Sequence, residues 1–255
     1  MKLLVINPNI SDEVSALISA EAQRSAAKDT VLSMRTAATG MQYIETRLES
    51  MIAAQAVAEA ISQNPGHDAV LVAAFGDPGM PALKELCQVP VIGMTEAALA
   101  AAALQGSRFS IIAISSRITA WYRDTVEAYG YRSRLASIHS LTDPLGGIGT
   151  VQEDFGLKLV QLANHAVSHD GADVIILAGA PLAGLAREVS GQIPVPVVDG
   201  ISAGVKLAEA IAALGCGSHR AGSFAPPPIK ERRGLSAALD AQLAARQGAE
   251  AEVNA

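Results

Sequence analysis

The sequence predicts an α/β protein of two pseudo-symmetric lobes, each a mainly parallel sheet flanked by helices, with a ligand cleft between them. Three observations predict it. An apolar run at residues 68–74 (DAVLVAA) breaks into the turn Phe75-Gly76-Asp77-Pro78-Gly79, the pattern of a strand covered on both faces that delivers a loop. A second copy begins at Asp173 and runs through Gly184, and aligning Asp68 with Asp173 puts Ala74 opposite Gly179. Each copy then passes through a helix-like segment (82–86 or 186–189) to a short strand (89–93 or 195–200) and an alanine-rich helix. Ligands of open α/β sheets bind at the carboxyl ends of the strands. Two such halves would therefore face each other across a cleft.

Residues 1–94 with 201–225 are expected to form the first lobe, 95–200 the second, and 226–255 a C-terminal helix and frayed tail. A chain of 255 residues exceeds the usual size of one core, which suits this division. A net charge of −6 and a pI near 5.4 leave no basic footprint for nucleic acid. No apolar run is long enough for a membrane span, and Met1-Lys2-Leu3-Leu4-Val5 leads into a strand rather than a signal peptide. A cytoplasmic protein is expected, without membrane or nucleic-acid partners.

Taken in order, residues 3–7 form a strand ending in Asn7-Pro8-Asn9, and Ser11-Asp12-Glu13 caps a helix over 14–26. Unpaired N–H groups at that helix start suit an electron-rich oxygen. A second strand is expected at 30–36. The loop 39–45, carrying Tyr43 and Glu45, enters a long helix running to about Gln63. Tyr43 either packs or donates to a ligand, and Glu45 either favours the helix's positive end or serves the site. Asp77 has two readings, a catalytic carboxylate or a cap for the next helix, with Pro78 at its first position. Thr95 and Ser202 open the two closing helices and look like caps. Asp199 ends its strand as an anion that either meets a ligand or orients a loop.

The second half repeats the order. The strand 109–114 ends in Ser115 and Ser116, which stand opposite Asn9, and Arg117 starts a helix. Residues 142–149 form a turn-rich connection whose Gly146-Gly147-Ile148-Gly149 lacks the setting of a phosphate loop, and a helix resumes over 153–168. Beyond Gly215 regular structure breaks, and a final helix is expected at about 235–246. Cys87 and Cys216 have no metal-ligand spacing and read as packing residues. His67, His139, His165, His169 and His219 show no metal spacing either. His165 and His169 could share a helix face, but a third ligand is lacking in sequence. No metal and no cofactor are expected. The alanine-rich helices favour a homo-oligomer.

Val5-Ile6-Asn7-Pro8-Asn9, Ala74-Phe75-Gly76-Asp77-Pro78-Gly79, residues 90–97 (PVIGMTEA) and residues 196–200 (PVVDG) together resemble the hydantoin and allantoin racemases of the aspartate/glutamate racemase superfamily. The likeness runs to about Gly215. It implies two pseudo-symmetric α/β lobes and cofactor-independent exchange of an α-proton between two cysteines on opposite faces of the substrate. It also places those cysteines at Ala74 and Gly179, where neither side chain carries a proton.

The binding side of the resemblance is retained: Asn9, Ala74, Phe75, Gly76, Ser115, Ser116, Gly179 and Ala180 are the expected contacts for a small carboxylate or cyclic amide, although Pro181 removes one N–H donor. Tyr43, Asp77 and Asp199 are the expected proton carriers. The expected function is enolate or oxyanion stabilisation without the cysteine pair, with isomerisation, ring opening, C–C cleavage and decarboxylation all within such a site's chemistry. The alternatives are a non-catalytic binding protein and a cysteine-replaced racemase.

Overall fold

The computed structural model describes residues 1–216 and 221–251. His219 and the last four residues of the expected frayed tail lie outside the described residues. The first half runs β1 (Lys2–Asn7), α1 (Asp12–Ser25), β2 (Val31–Thr36), α2 (Arg47–Gln63), β3 (Ala69–Val72), α3 (Met80–Leu86), β4 (Val91–Gly93) and α4 (Met94–Ala103). The second half repeats it as β5 (Phe109–Ala113), α5 (Thr119–Ala128), β6 (Leu135–Ser140), α6 (Val151–Asp170), β7 (Val174–Ala178), α7 (Leu185–Glu188), β8 (Val197–Asp199) and α8 (Gly200–Leu214), before the final α9 (Ala237–Ala251). Each half is a four-stranded parallel sheet, in the orders β2-β1-β3-β4 and β6-β5-β7-β8. The chain is thus the α/β duplication that the repeated apolar runs predict.

The central strands β1, β3, β5 and β7 are buried on both faces because their side chains alternate between two apolar layers, whereas the edge strands β2 and β6 are part-exposed. In the first sheet Leu3, Val5, Ala69 and Leu71 join the larger core, while Leu4, Ile6, Val70 and Val72 face Val57 and Ile61 of α2 and Leu83 of α3. The larger core runs without a break into the second half, through Phe109, Ile111, Val174, Ile176 and the helix residues Ile201 and Val205. The closing helices build this continuity, since α8 packs on α4, α1 and β3, and α4 packs on β7. The two halves therefore share one core.

Two sequence expectations change. Residues 135–140 form the edge strand β6, a missing element in the sequence reading, because its Ser and His residues make no continuous apolar run. The final helix begins at Ala237 and reaches Ala251, where it lies against α2 and α3 through Leu239 and Leu243.

Candidate functional site

In both sheets the strand order reverses between the first and third strands, so the expected ligand position is outside the carboxyl ends where β1 meets β3 and where β5 meets β7. Asn9 stands at the end of β1 and is buried. Its Oδ1 accepts from Asn7 Nδ2 at 2.9 Å and from the Ser11 N–H at 2.9 Å. Two donors thus fix the amide's orientation and leave Nδ2, which has no acceptor among the described residues, as a positioned donor. Asn7, a residue that sequence reading left unassigned, is the clamp: its Nδ2 also reaches Ser15 Oγ at 2.9 Å, and its Oδ1 accepts from the Asn9 N–H at 3.2 Å.

The β3 loop supplies more donors. Ala74 and Phe75 are buried, and their N–H groups meet no acceptor among the described residues. The same holds for Gly179 and Ala180 at the end of β7. Buried backbone N–H groups without an acceptor are rare, since each costs about 1–3 kcal/mol. Gly76 is a correction, because its N–H donates to Thr95 Oγ1 at 2.6 Å and is taken out of the site. Ser115 is half-buried and its hydroxyl accepts from the Arg117 N–H at 3.2 Å, whereas Ser116 is exposed. Pro181 has no N–H to offer, and its carbonyl accepts from Gln152 Nε2 at 2.8 Å, which holds the second loop in place.

The structure gives Asp77 and Asp199 a different occupation from the proton transfer expected of them. Asp77 Oδ1 accepts from the Thr95 N–H and Oδ2 from the Glu96 N–H, both at 2.8 Å, while Tyr129 Oη donates to Oδ2 at 2.8 Å. It caps α4, two elements away, rather than α3, the next helix. Asp199 caps α8, with Oδ1 accepting from the Ile201 and Ser202 N–H groups at 2.8 and 3.0 Å and Oδ2 from the Gly184 N–H at 2.6 Å. Both carboxylates are buried and spoken for. Thr95 and Ser202 accordingly are not caps: Thr95 holds Gly76, and the Ser202 hydroxyl donates to Glu21.

Burial pushes the Asp77 carboxyl up to about 6, against the pull of its three donors. Burial also raises Asp199. The sign follows from linkage. The folded protein holds the Asp77 proton more tightly, so this stability is fully present below about pH 3.8 and is lost as pH rises through about 6. Relative to Asp77→Asn, which does not titrate, the wild type is expected to gain about 2 kcal/mol between pH 7 and pH 4 in urea unfolding. A pH-independent difference between the two proteins would contradict this.

Tyr43 is exposed, on a loop tied to the β1 turn by the Ile10 N–H donating to the Met41 carbonyl at 3.0 Å. Its neighbour Glu45 is half-buried, and its carboxylate has no hydrogen-bond partner among the described residues. Tyr122 of α5, whose ring centroid is 4.7 Å from that of Phe75, has its phenol raised by burial and then by the charges of Asp77 and Glu45. Trp121 lies against Gly76, and Arg47 pairs with Asp124 across the halves. The loop 39–46 therefore stands beside the β3 loop under cover of α5. On the other side, buried Glu21 of α1 binds Arg187 at 2.7 Å. Burial raises the Glu21 carboxyl, but bonds from Ser202, Arg187 and Ser25 outweigh it and hold the group below its usual range.

Neither cysteine lies on the strand-end loops. Cys87 is buried at the end of α3, where burial pushes it up to about 12, and Cys216 is exposed beyond α8. Both line a recess of about 1230 Å³ beside β4, between α4 and α8, away from the strand-end loops. Gly179, opposite Ala74 in the repeat, has φ of +122° with ψ of 136°, a conformation that L-residues rarely adopt.

The family model described as Asp/Glu/Hydantoin racemase matches residues 3–208. The chain is 35% identical to the hydantoin racemase of Paenarthrobacter aurescens, over 91% of its own length and 99% of that protein's. Among solved structures, the allantoin racemase from Klebsiella pneumoniae is similar at 33% identity with a TM-score of 0.88, covering 94% of this chain and 98% of that one. Arylmalonate decarboxylase has the same fold at 18% identity and a TM-score of 0.59, over 86% of this chain and 96% of that one.

Proposed function

We propose, from the premise that this chain belongs to the Asp/Glu/hydantoin racemase family, that it acts without a cofactor or a cysteine pair on a small carboxylate or cyclic amide of the hydantoin type. The observation that carries this reading is the set of donors without acceptors, among the described residues, at the strand ends. Asn9 Nδ2 and the N–H groups of Ala74 and Phe75 come from one half, and those of Gly179 and Ala180 from the other. Loss of an α-proton leaves a carbanion whose charge moves onto the adjacent carbonyl oxygen, and fixed donors aimed at that oxygen stabilise the enolate. The proton carriers are the polar groups of the loop 39–46: the Glu45 carboxylate takes the α-proton, and the Tyr43 phenol hydrogen-bonds the reacting group.

Tyr43→Phe and Glu45→Gln test the assignment. Each is expected to lower α-deuterium uptake into a bound hydantoin by about 10²-fold or more, with the melting temperature little changed. Unaltered uptake in both variants would remove this loop from the chemistry.

A second reading is a non-catalytic binding protein. It is favoured by the capping bonds that occupy Asp77 and Asp199, two of the three proton carriers expected from sequence. Saturable hydantoin binding with no exchange or conversion would select it. The positive φ at Gly179 disfavours a cysteine-replaced racemase, because a cysteine would be strained on that backbone.

A further inference from the structure

We infer that the outer edge of the second sheet carries a binding site for a divalent transition-metal ion, formed by His139 of β6 with His165 and Asp170 of α6. The fold supplies the third ligand that sequence spacing lacks. His165 is followed by Asp170 at the end of α6, and β6 lays His139 beside them. One ligand atom from each of the three residues lies within 4.8 Å of the others, the one such grouping among the described residues. His139 Nε2 and Asp170 Oδ2 are 2.6 Å apart, and the His165 ring stands edge-on to His139 with centroids 5.2 Å apart.

A hydrogen bond between His139 and Asp170 accounts for two of the three groups and leaves His165 over. The His165 imidazole makes no hydrogen bond among the described residues, although its ring is stacked on His169 at 4.2 Å and so held in orientation. Tetrahedral zinc with bonds of about 2.0 Å sets its ligand atoms about 3.3 Å apart. The 2.6 Å pair would open slightly and His165 would close in, both by side-chain rotation. The ion would replace the proton held between His139 and Asp170.

Two imidazoles and one carboxylate suit Zn²⁺, Ni²⁺ or Cu²⁺ rather than Mg²⁺ or Ca²⁺, which favour all-oxygen sites. Ser137, two residues before His139 and so on the same strand face, has its hydroxyl 2.8 Å from Ser110 Oγ and is placed to support the ligands as an outer layer. None of the three ligands belongs to the strand-end loops. The bound ion therefore clamps the end of α6 to the sheet edge and leaves its fourth position to solvent.

Calorimetric titration of the full chain with Zn²⁺ tests this, in a Cys216→Ser background that removes the exposed thiol. One ion per chain is expected, with affinity at least tenfold lower in His165→Ala. His165 is exposed, so that variant retains the fold. Zn²⁺ at a hundred times its Kd is expected to raise Tm by about 5–10 °C, reversibly with EDTA, and the rise should be lost in Asp170→Asn. Absence of saturable binding, or binding and Tm shifts unchanged in both variants, would overturn the site.

Discussion

Asn9→Asp is expected to lower kcat/KM by about 10²–10³-fold on any hydantoin-like substrate the protein turns over, the usual cost of one oxyanion donor. The substitution changes little else. Oδ1 still accepts from Asn7 Nδ2 and the Ser11 N–H, so the β1 turn keeps its bonds. The donor Nδ2 becomes an acceptor, and its negative charge repels the developing enolate. Melting should move by only a few degrees, which separates the missing donor from a damaged turn. A kcat/KM within threefold of wild type would mean that Asn9 is a structural clamp alone.

Gly93→Ala is expected to destabilise the protein by about 3 kcal/mol, seen as a fall in Tm of about 6–12 °C. A Cβ at that position would lie 2.2 Å from Asp77 Oδ2, so it would expel the carboxylate that caps α4. The second half shows how the loss can be repaired. There the strand-end residue opposite Gly93 is Asp199, which caps α8 itself, and the loop position opposite Asp77 is the buried Leu182. The backbones match, with φ and ψ of −88° and 144° at Gly93 and −95° and 126° at Asp199. Gly93→Asp combined with Asp77→Leu is therefore expected to recover much of the stability lost in Gly93→Ala or Asp77→Leu alone. A double variant no more stable than either single one would show that the two caps are not interchangeable.

This exchange of caps explains what the sequence conceals. Strands and helices were legible because their apolar runs are local and written twice, and the parallel sheets followed from them. The edge strand β6 was not, since its half-buried Leu135-Ala136-Ser137-Ile138-His139-Ser140 carries no strong pattern. Asp77 precedes Pro78, which reads locally as the cap of α3. It reaches α4 instead because Gly93, 16 positions on, has no Cβ to exclude it. Thr95 and Ser202 fit the local composition of caps, but the aspartates accept the helix N–H groups and free both hydroxyls for other bonds. The donors at Asn9 and Phe75 were legible from the strand ends, whereas the engagement of Gly76 by Thr95 depends on a contact 19 residues apart. The grouping of His139 with His165 and Asp170 is likewise a product of tertiary structure.

The central claim is that enolate chemistry proceeds here without a thiol, and α-deuterium exchange in a Cys87→Ala/Cys216→Ser variant tests it most directly. Wild type and variant would each be mixed with a 5-substituted hydantoin in deuterated water, and the α-proton signal followed by NMR. The signal is expected to decay at the same rate in both, because Cys87 and Cys216 lie away from the strand-end loops. A bound hydantoin that keeps its α-proton, or exchange that disappears in a folded variant, would contradict it.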